Sequence, residues 1–154
     1  RLALYEPPFI VDSSRPPLPG DYFQRISALL AEGRRGEAVE YFLSTGPAMP
    51  GELIARMRKT PMWAGLEALA NTLPYDGLVM GDTMAGRSLP EGAWAGAKMP
   101  VLVMAGGASP AWAANSVRAL ASVLPDARSL MLEGQTHGAS PESLLPALKE
   151  FFLA

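Results

Sequence analysis

Three short apolar runs, with helical segments between them, constrain the fold of this chain more than any other feature. The runs span residues 1–5, 101–105 and 129–132, and continuous apolarity of this kind is typical of strands buried on both faces of a parallel sheet. Segments with apolar residues at helical spacing follow the second and third runs. Strands that alternate with helices predict a parallel sheet with right-handed crossovers. The predicted class is α/β, with part of a mostly parallel, doubly wound sheet.

A block of short helices, without strands, separates the first two runs. Its apolar residues recur at helical spacing, and prolines and glycines separate the segments. The helices are predicted over residues 22–32 with Asp21 as the cap, over residues 37–43, from Pro50, and from Pro61 to a stop at Leu73-Pro74. The sequence therefore predicts a helical insertion between the first and second strands.

Composition excludes several classes of function. The formal net charge of -2 gives no basic footprint for nucleic acid, and no apolar run approaches the length of a membrane span. The chain has no cysteine and a single histidine, which excludes disulfides, thiolate catalysis and cysteine-ligated metal. No spaced carboxylate cluster suggests a metal site of oxygen ligands. We expect a cytoplasmic protein, without a recognisable signal peptide and without a metal or other cofactor.

The single histidine, His137, lies between the third apolar run and the helix predicted to begin at Ser140-Pro141. That turn is at the carboxyl edge of the predicted sheet, where open α/β sheets place their chemistry. A histidine can act there as a general base, although a lone histidine can equally be a loop residue that bonds to the backbone. No G-x-S-x-G nucleophile elbow occurs in the sequence. The chain thus offers a candidate base without a nucleophile for it to activate.

The order of these elements resembles the carboxyl-terminal half of the α/β-hydrolase family over essentially the whole chain. Leu4-Tyr5-Glu6-Pro7-Pro8 is similar to the sixth strand of that family and its exit. Residues 101–105 resemble the seventh strand and residues 129–132 the eighth, which places His137 at the position of the catalytic histidine.

The resemblance also implies a domain organisation. Residues 21–75 would form the helical cap of the family, and residues 1–20 and 76–154 the carboxyl-terminal part of its core. It implies a missing first half that carries the oxyanion-hole loop and the nucleophile elbow, and this half is the partner we expect for the chain. The first residue is not Met and already belongs to a strand-like run, which we expect of a fragment, a processed product or an excerpt.

The acid that would orient His137 does not follow the usual pattern of the family. That acid usually follows the seventh strand in a pattern like G-x-x-D, whereas this chain reads Gly106-Gly107-Ala108-Ser109. Ser109, at the possible acid position, cannot stabilise an imidazolium as an anion does, and Ser-Pro at a helix start predicts a helix cap. Certain haloalkane dehalogenases place the acid after the sixth strand, where Glu6 stands. We therefore predict Glu6 as the acid. One alternative is that the Glu6 carboxylate only accepts hydrogen bonds from N–H groups of a loop, and the other is that Asp82 is the acid.

The resemblance implies a hydrolase that acts on a small apolar ester or acyl substrate through a nucleophile-His-acid triad, with the nucleophile outside this chain. Met62, Trp63 and Trp112 are candidates for substrate contacts, since such residues suit an apolar pocket, although packing between short helices explains them equally. If the missing nucleophile is Asp, a haloalkane dehalogenase or epoxide hydrolase is implied. A non-catalytic ligand-binding or regulatory protein on the same scaffold is the competing hypothesis, supported by Ser109.

Overall fold

Three strands and seven α-helices form the regular structure in the computed structural model, which describes residues 1–154. The strands are β1 (Leu2–Tyr5), β2 (Val101–Gly106) and β3 (Ala127–Leu132). The helices are α1 (Tyr22–Ala31), α2 (Arg35–Thr45), α3 (Gly51–Met57), α4 (Pro61–Leu69), α5 (Leu73–Met80), α6 (Ala111–Val123) and α7 (Pro141–Leu153). Two short 3-10 helices span Ala70–Thr72 and Gly81–Met84. None of the helices combines the length and the apolar character that a membrane crossing requires.

The strands form one parallel sheet in the order β1-β2-β3, within a unit made of Arg1–Pro17 and Asp82–Ala154. Leu2 is in register with Val101, which in turn is in register with Ala127. Helix α6 connects β2 to β3, as a parallel pair requires. The predicted α/β class with a parallel sheet is confirmed.

The two faces of β2 pack against different helices. Val103 lies in a cluster with Val117 of α6, whereas Leu102 and Met104 lie in a cluster with Phe151 of α7. Successive side chains of a strand point to opposite faces of the sheet, so α6 and α7 cover opposite faces. This is the arrangement of a doubly wound sheet.

The prediction that all three strands are buried is correct for β2 alone. Every residue of β2 is buried, but Leu2 of β1 and Leu130 of β3 are each 37% exposed. The reason is position in the sheet, because β1 and β3 flank β2 and each pairs on one side only. Apolar composition cannot distinguish a flanking strand from a central one.

The other unit, Leu18–Gly81, contains α1 to α5 and includes all of the residues predicted as a cap. Two predictions inside it are wrong. Asp21 precedes α1, but its side chain makes no capping hydrogen bond. The helix predicted from Pro61 to a stop at Leu73-Pro74 ends earlier, at Leu69, and Leu73 instead begins α5, with Pro74 in its first turn. A proline is tolerated there because the first N–H groups of a helix have no partner within it.

Candidate active site

Glu6 is placed by an unusual backbone conformation directly after β1. Its N–H donates to the Met104 carbonyl (2.7 Å), so it still pairs with β2. Its φ of 46° lies in the left-handed region, which costs a residue with a side chain on the order of 1–3 kcal/mol and persists only where its surroundings impose it. Pro7 and Pro8 follow and end the strand. The Glu6 side chain is only 2% exposed, so its carboxylate is held inside the unit.

Both oxygens of the Glu6 carboxylate have hydrogen-bond partners. Oε1 accepts the N–H of Gly106 at 3.0 Å and the hydroxyl of Ser109. Oε2 lies 2.9 Å from Nδ1 of His137. These partners come from the end of β2 and from the loop after β3, so the pairing of the three strands brings the four residues together. The structure thus joins the two residues predicted as base and acid.

The loop that carries His137 is attached to the ends of β1 and β2. The Tyr5 hydroxyl donates to the Thr136 carbonyl (2.5 Å), and the Ala108 N–H donates to the Gln135 carbonyl (2.9 Å). The His137 side chain itself is 84% exposed. With Nδ1 held by Glu6, the opposite nitrogen, Nε2, is the one available to a substrate or nucleophile.

Gly106 allows this loop to pack directly on the end of β2. A Cβ at position 106 would lie 2.2 Å from the Gln135 carbonyl oxygen and 2.8 Å from the Thr136 nitrogen. Both atoms are backbone, so no side-chain rotation could relieve the contact. A glycine in a strand often marks such a close approach of backbone, and this is the sequence signal from which Gly106 could be predicted as a site residue.

The electrostatics of Glu6 favour its charged form. Burial raises the pKa of this carboxyl, but hydrogen bonds from Ser109, Gly106 and His137, together with the charge of a protonated His137, outweigh burial and lower the pKa below its ordinary value. Burial and the negative charge of Glu6 raise the pKa of Tyr5, which keeps the Tyr5 hydroxyl protonated as a donor. An ionised Glu6 favours a proton on Nδ1 and can stabilise an imidazolium.

Ser109 is not the helix cap that the sequence predicts. Helix α6 begins at Ala111, Pro110 occupies the cap position, and no side chain caps it. The Ser109 hydroxyl donates instead to Glu6, a charged acceptor that the strand pairing brings beside it. Asp82, the alternative acid, forms an exposed ion pair with Arg87.

The residues predicted to contact substrate lie in both units. Met62, on α4, is 54% exposed, whereas Trp63, 6% exposed, belongs to a core cluster of the helical unit. Trp112, on α6, is half-buried, and the Arg15 guanidinium lies 4.8 Å from its ring centre. Their role in substrate binding stays a prediction. No group of three or more acidic or histidine side chains is arranged to hold a metal.

One solved structure is similar to this chain over nearly its whole length. It is an α/β hydrolase from Sphaerobacter thermophilus DSM 20745, 52% identical, with a TM-score of 0.84 over 99% of this chain. This chain spans 58% of that protein's length. No protein-family model and no curated protein matches. The identity and the structural similarity over nearly the whole chain show that the chain belongs to the α/β-hydrolase family.

Proposed function

We propose that the protein hydrolyses small apolar esters or related acyl compounds, with His137 as the general base and Glu6 as the acid that orients it. The observation that carries the proposal is the contact of 2.9 Å between His137 Nδ1 and Glu6 Oε2. The carboxylate is buried and the imidazole exposed, so the acid is shielded while the base is open to a reacting group. This is the division of roles that a nucleophile-His-acid triad needs.

In the proposed reaction, Nε2 of His137 removes the proton of a serine hydroxyl that lies outside residues 1–154. The serine oxygen bonds to the substrate carbonyl carbon, and the alcohol leaves with the proton from the imidazolium. Nε2 then deprotonates a water molecule, whose oxygen bonds to the acyl carbon. The imidazolium returns this proton to the serine oxygen as the bond from that oxygen to the acyl carbon breaks, which releases the carboxylic acid. Glu6 stays ionised throughout and stabilises the imidazolium. Backbone N–H groups of the same outside segment would hold the oxyanion.

The choice of an apolar substrate rests on the helical unit. Its helices α4 and α5 expose large apolar side chains to solvent: Met62, Leu69, Tyr75, Leu78 and Val79. Flexible and aromatic apolar side chains suit a pocket with loose shape requirements. We propose that this unit is the cap that the resemblance implies and that these apolar side chains contact the substrate.

The proposal is tested with the full-length protein and a series of p-nitrophenyl esters from acetate to octanoate. We expect hydrolysis of the shorter esters, and a loss of kcat/KM on the order of a thousandfold or more in His137→Ala. Ser122→Ala is the matched control, since Ser122 is exposed and bonds only within α6. Wild-type turnover in His137→Ala would contradict the assignment.

A second candidate follows from the position of the acid. Glu6 follows β1 instead of β2, as the resemblance describes for certain haloalkane dehalogenases. With an Asp nucleophile, the carboxylate would displace halide or open an epoxide, and His137 would activate the water that cleaves the resulting ester. Turnover of 1-chlorohexane or 1,2-epoxyhexane, without ester hydrolysis, would favour this chemistry. If the protein binds these esters, haloalkanes or epoxides but turns over none of them, the non-catalytic alternative is favoured.

A further inference from the structure

We propose that Ser109 is a positioning residue for the acid: its hydroxyl holds Oε1 of Glu6 so that Oε2 faces His137. The inference rests on the proposed function and deepens it. Ser109 stands where the family pattern places the acid itself, and the structure shows its hydroxyl bonded to the carboxylate that comes from the end of β1. At the position where the family pattern has an anion, this chain therefore has a hydrogen-bond donor to the Glu6 carboxylate.

The geometry around Oε1 explains why a second donor matters. A carboxylate can rotate about the bond to its side-chain carbon, and a single hydrogen bond restrains that rotation weakly. The Gly106 N–H (3.0 Å) and the Ser109 hydroxyl both donate to Oε1. Together they fix that oxygen, and therefore fix the direction of Oε2 toward His137 Nδ1.

The Ser109 hydroxyl also supports the charge on Glu6. Burial disfavours the carboxylate anion, and hydrogen bonds to the charged form oppose that effect. The titratable groups that interact with Glu6 are His137 and Tyr5, and neither supplies a fixed positive charge. The hydrogen bonds from the neutral Gly106 N–H and Ser109 hydroxyl therefore stabilise this anion whether or not His137 is protonated.

The turn that carries Ser109 does not depend on its side chain. The Ser109 N–H donates to the Gly106 carbonyl (3.1 Å), and the Ala108 N–H donates to the Gln135 carbonyl (2.9 Å). Removal of the hydroxyl should leave this backbone in place. The expected defect is therefore in the orientation and charge of Glu6.

The test compares Ser109→Ala, Ser109→Cys and Ser109→Thr in the full-length protein, on the ester that the wild type hydrolyses best. A hydrogen bond to a charged group corresponds to a factor of about ten to a hundred. We expect kcat to fall by about that factor in the Ala variant and in the Cys variant, since a thiol is a weak donor. KM should change little, and Ser109→Thr, which keeps the hydroxyl, should restore kcat. Ser122→Ala is the control.

A double-mutant cycle separates positioning from a general structural role. In a Glu6→Gln background there is no anion left to position, so Ser109→Ala should cause little further loss. An equal loss in both backgrounds, wild-type kcat in the Ala and Cys variants, or a Thr variant as slow as Ala would overturn the inference. If His137→Ala and Glu6→Gln lose activity while Ser109→Ala does not, only this inference fails. If those two variants keep full activity, the proposed function itself fails.

Discussion

Gly106→Ala should separate the loop that carries His137 from the end of β2. The added Cβ would lie 2.2 Å from the Gln135 carbonyl oxygen and 2.5 Å from its carbonyl carbon, so the loop must move by roughly 1 Å to reach ordinary contact. Overpacking of a tight site costs about 1–3 kcal/mol, and backbone neighbours place this case at the upper end. A shift of roughly 1 Å also takes the contact of 2.9 Å between Glu6 and His137 beyond hydrogen-bond range. Stability and turnover should therefore fall together.

Urea unfolding and ester hydrolysis of the full-length protein measure the two effects. Gly96→Ala is the matched control, because a Cβ there meets no atom within 4 Å; its free energy of unfolding should stay within about 0.5 kcal/mol of the wild type. An unfolding free energy and a kcat/KM in Gly106→Ala equal to those of the control would refute the close packing described for this site.

Two further predictions concern the carboxylate. Ser109→Asp places a second carboxylate against Glu6, and the repulsion between the two should raise the pKa of one of them. We therefore expect kcat/KM at neutral pH to fall at least about tenfold. Wild-type activity of this variant would contradict the prediction, because it would show that the site accepts two acids. Because folding lowers the pKa of Glu6, its ionisation contributes stability above the ordinary glutamate value of about 4.3, and that contribution disappears as pH falls through the lower folded value. Urea unfolding from pH 3 to 7 should therefore show the stability difference between wild type and Glu6→Gln shrinking toward acid; a difference independent of pH would contradict it.

Local sequence patterns predict the positions of the strands more accurately than they predict how deeply each strand is buried. The apolar runs and the helical spacing located β1, β2, β3 and the helix from Ser140-Pro141, whose cap bond to the Ser143 N–H is present. Burial of β1 and β3 was overestimated, because a strand's place in the sheet depends on pairing between distant segments. The sequence does not predict α5, because Pro74 follows an apolar helical pattern as a stop would, whereas it lies in the first turn of the next helix, where proline is tolerated.

The candidate site shows the same division. The place of His137 after a strand and the resemblance to the α/β-hydrolase family predict His137 as base, and the resemblance alone predicts Glu6 as acid; the structure brings the two side chains within 2.9 Å. The contact between Ser109 and Glu6 joins residues 103 positions apart, whereas Ser-Pro is a strong local signal for a helix cap. The left-handed conformation of Glu6 had no local signal, since glycine or asparagine normally occupies that region. Long-range geometry decided each of these points.

Glu6→Gln in the full-length protein tests the central claim most directly. The donors Gly106 and Ser109 hold Oε1, so the carbonyl oxygen of the glutamine should stay on that side and its amide should face Nδ1 of His137. Nδ1 must then accept a hydrogen bond, which leaves the proton on Nε2 and prevents it from acting as a base. We predict a loss of kcat/KM on the order of a thousandfold or more, in a protein that thermal melts show to be folded. Full kcat/KM in Glu6→Gln would contradict the account.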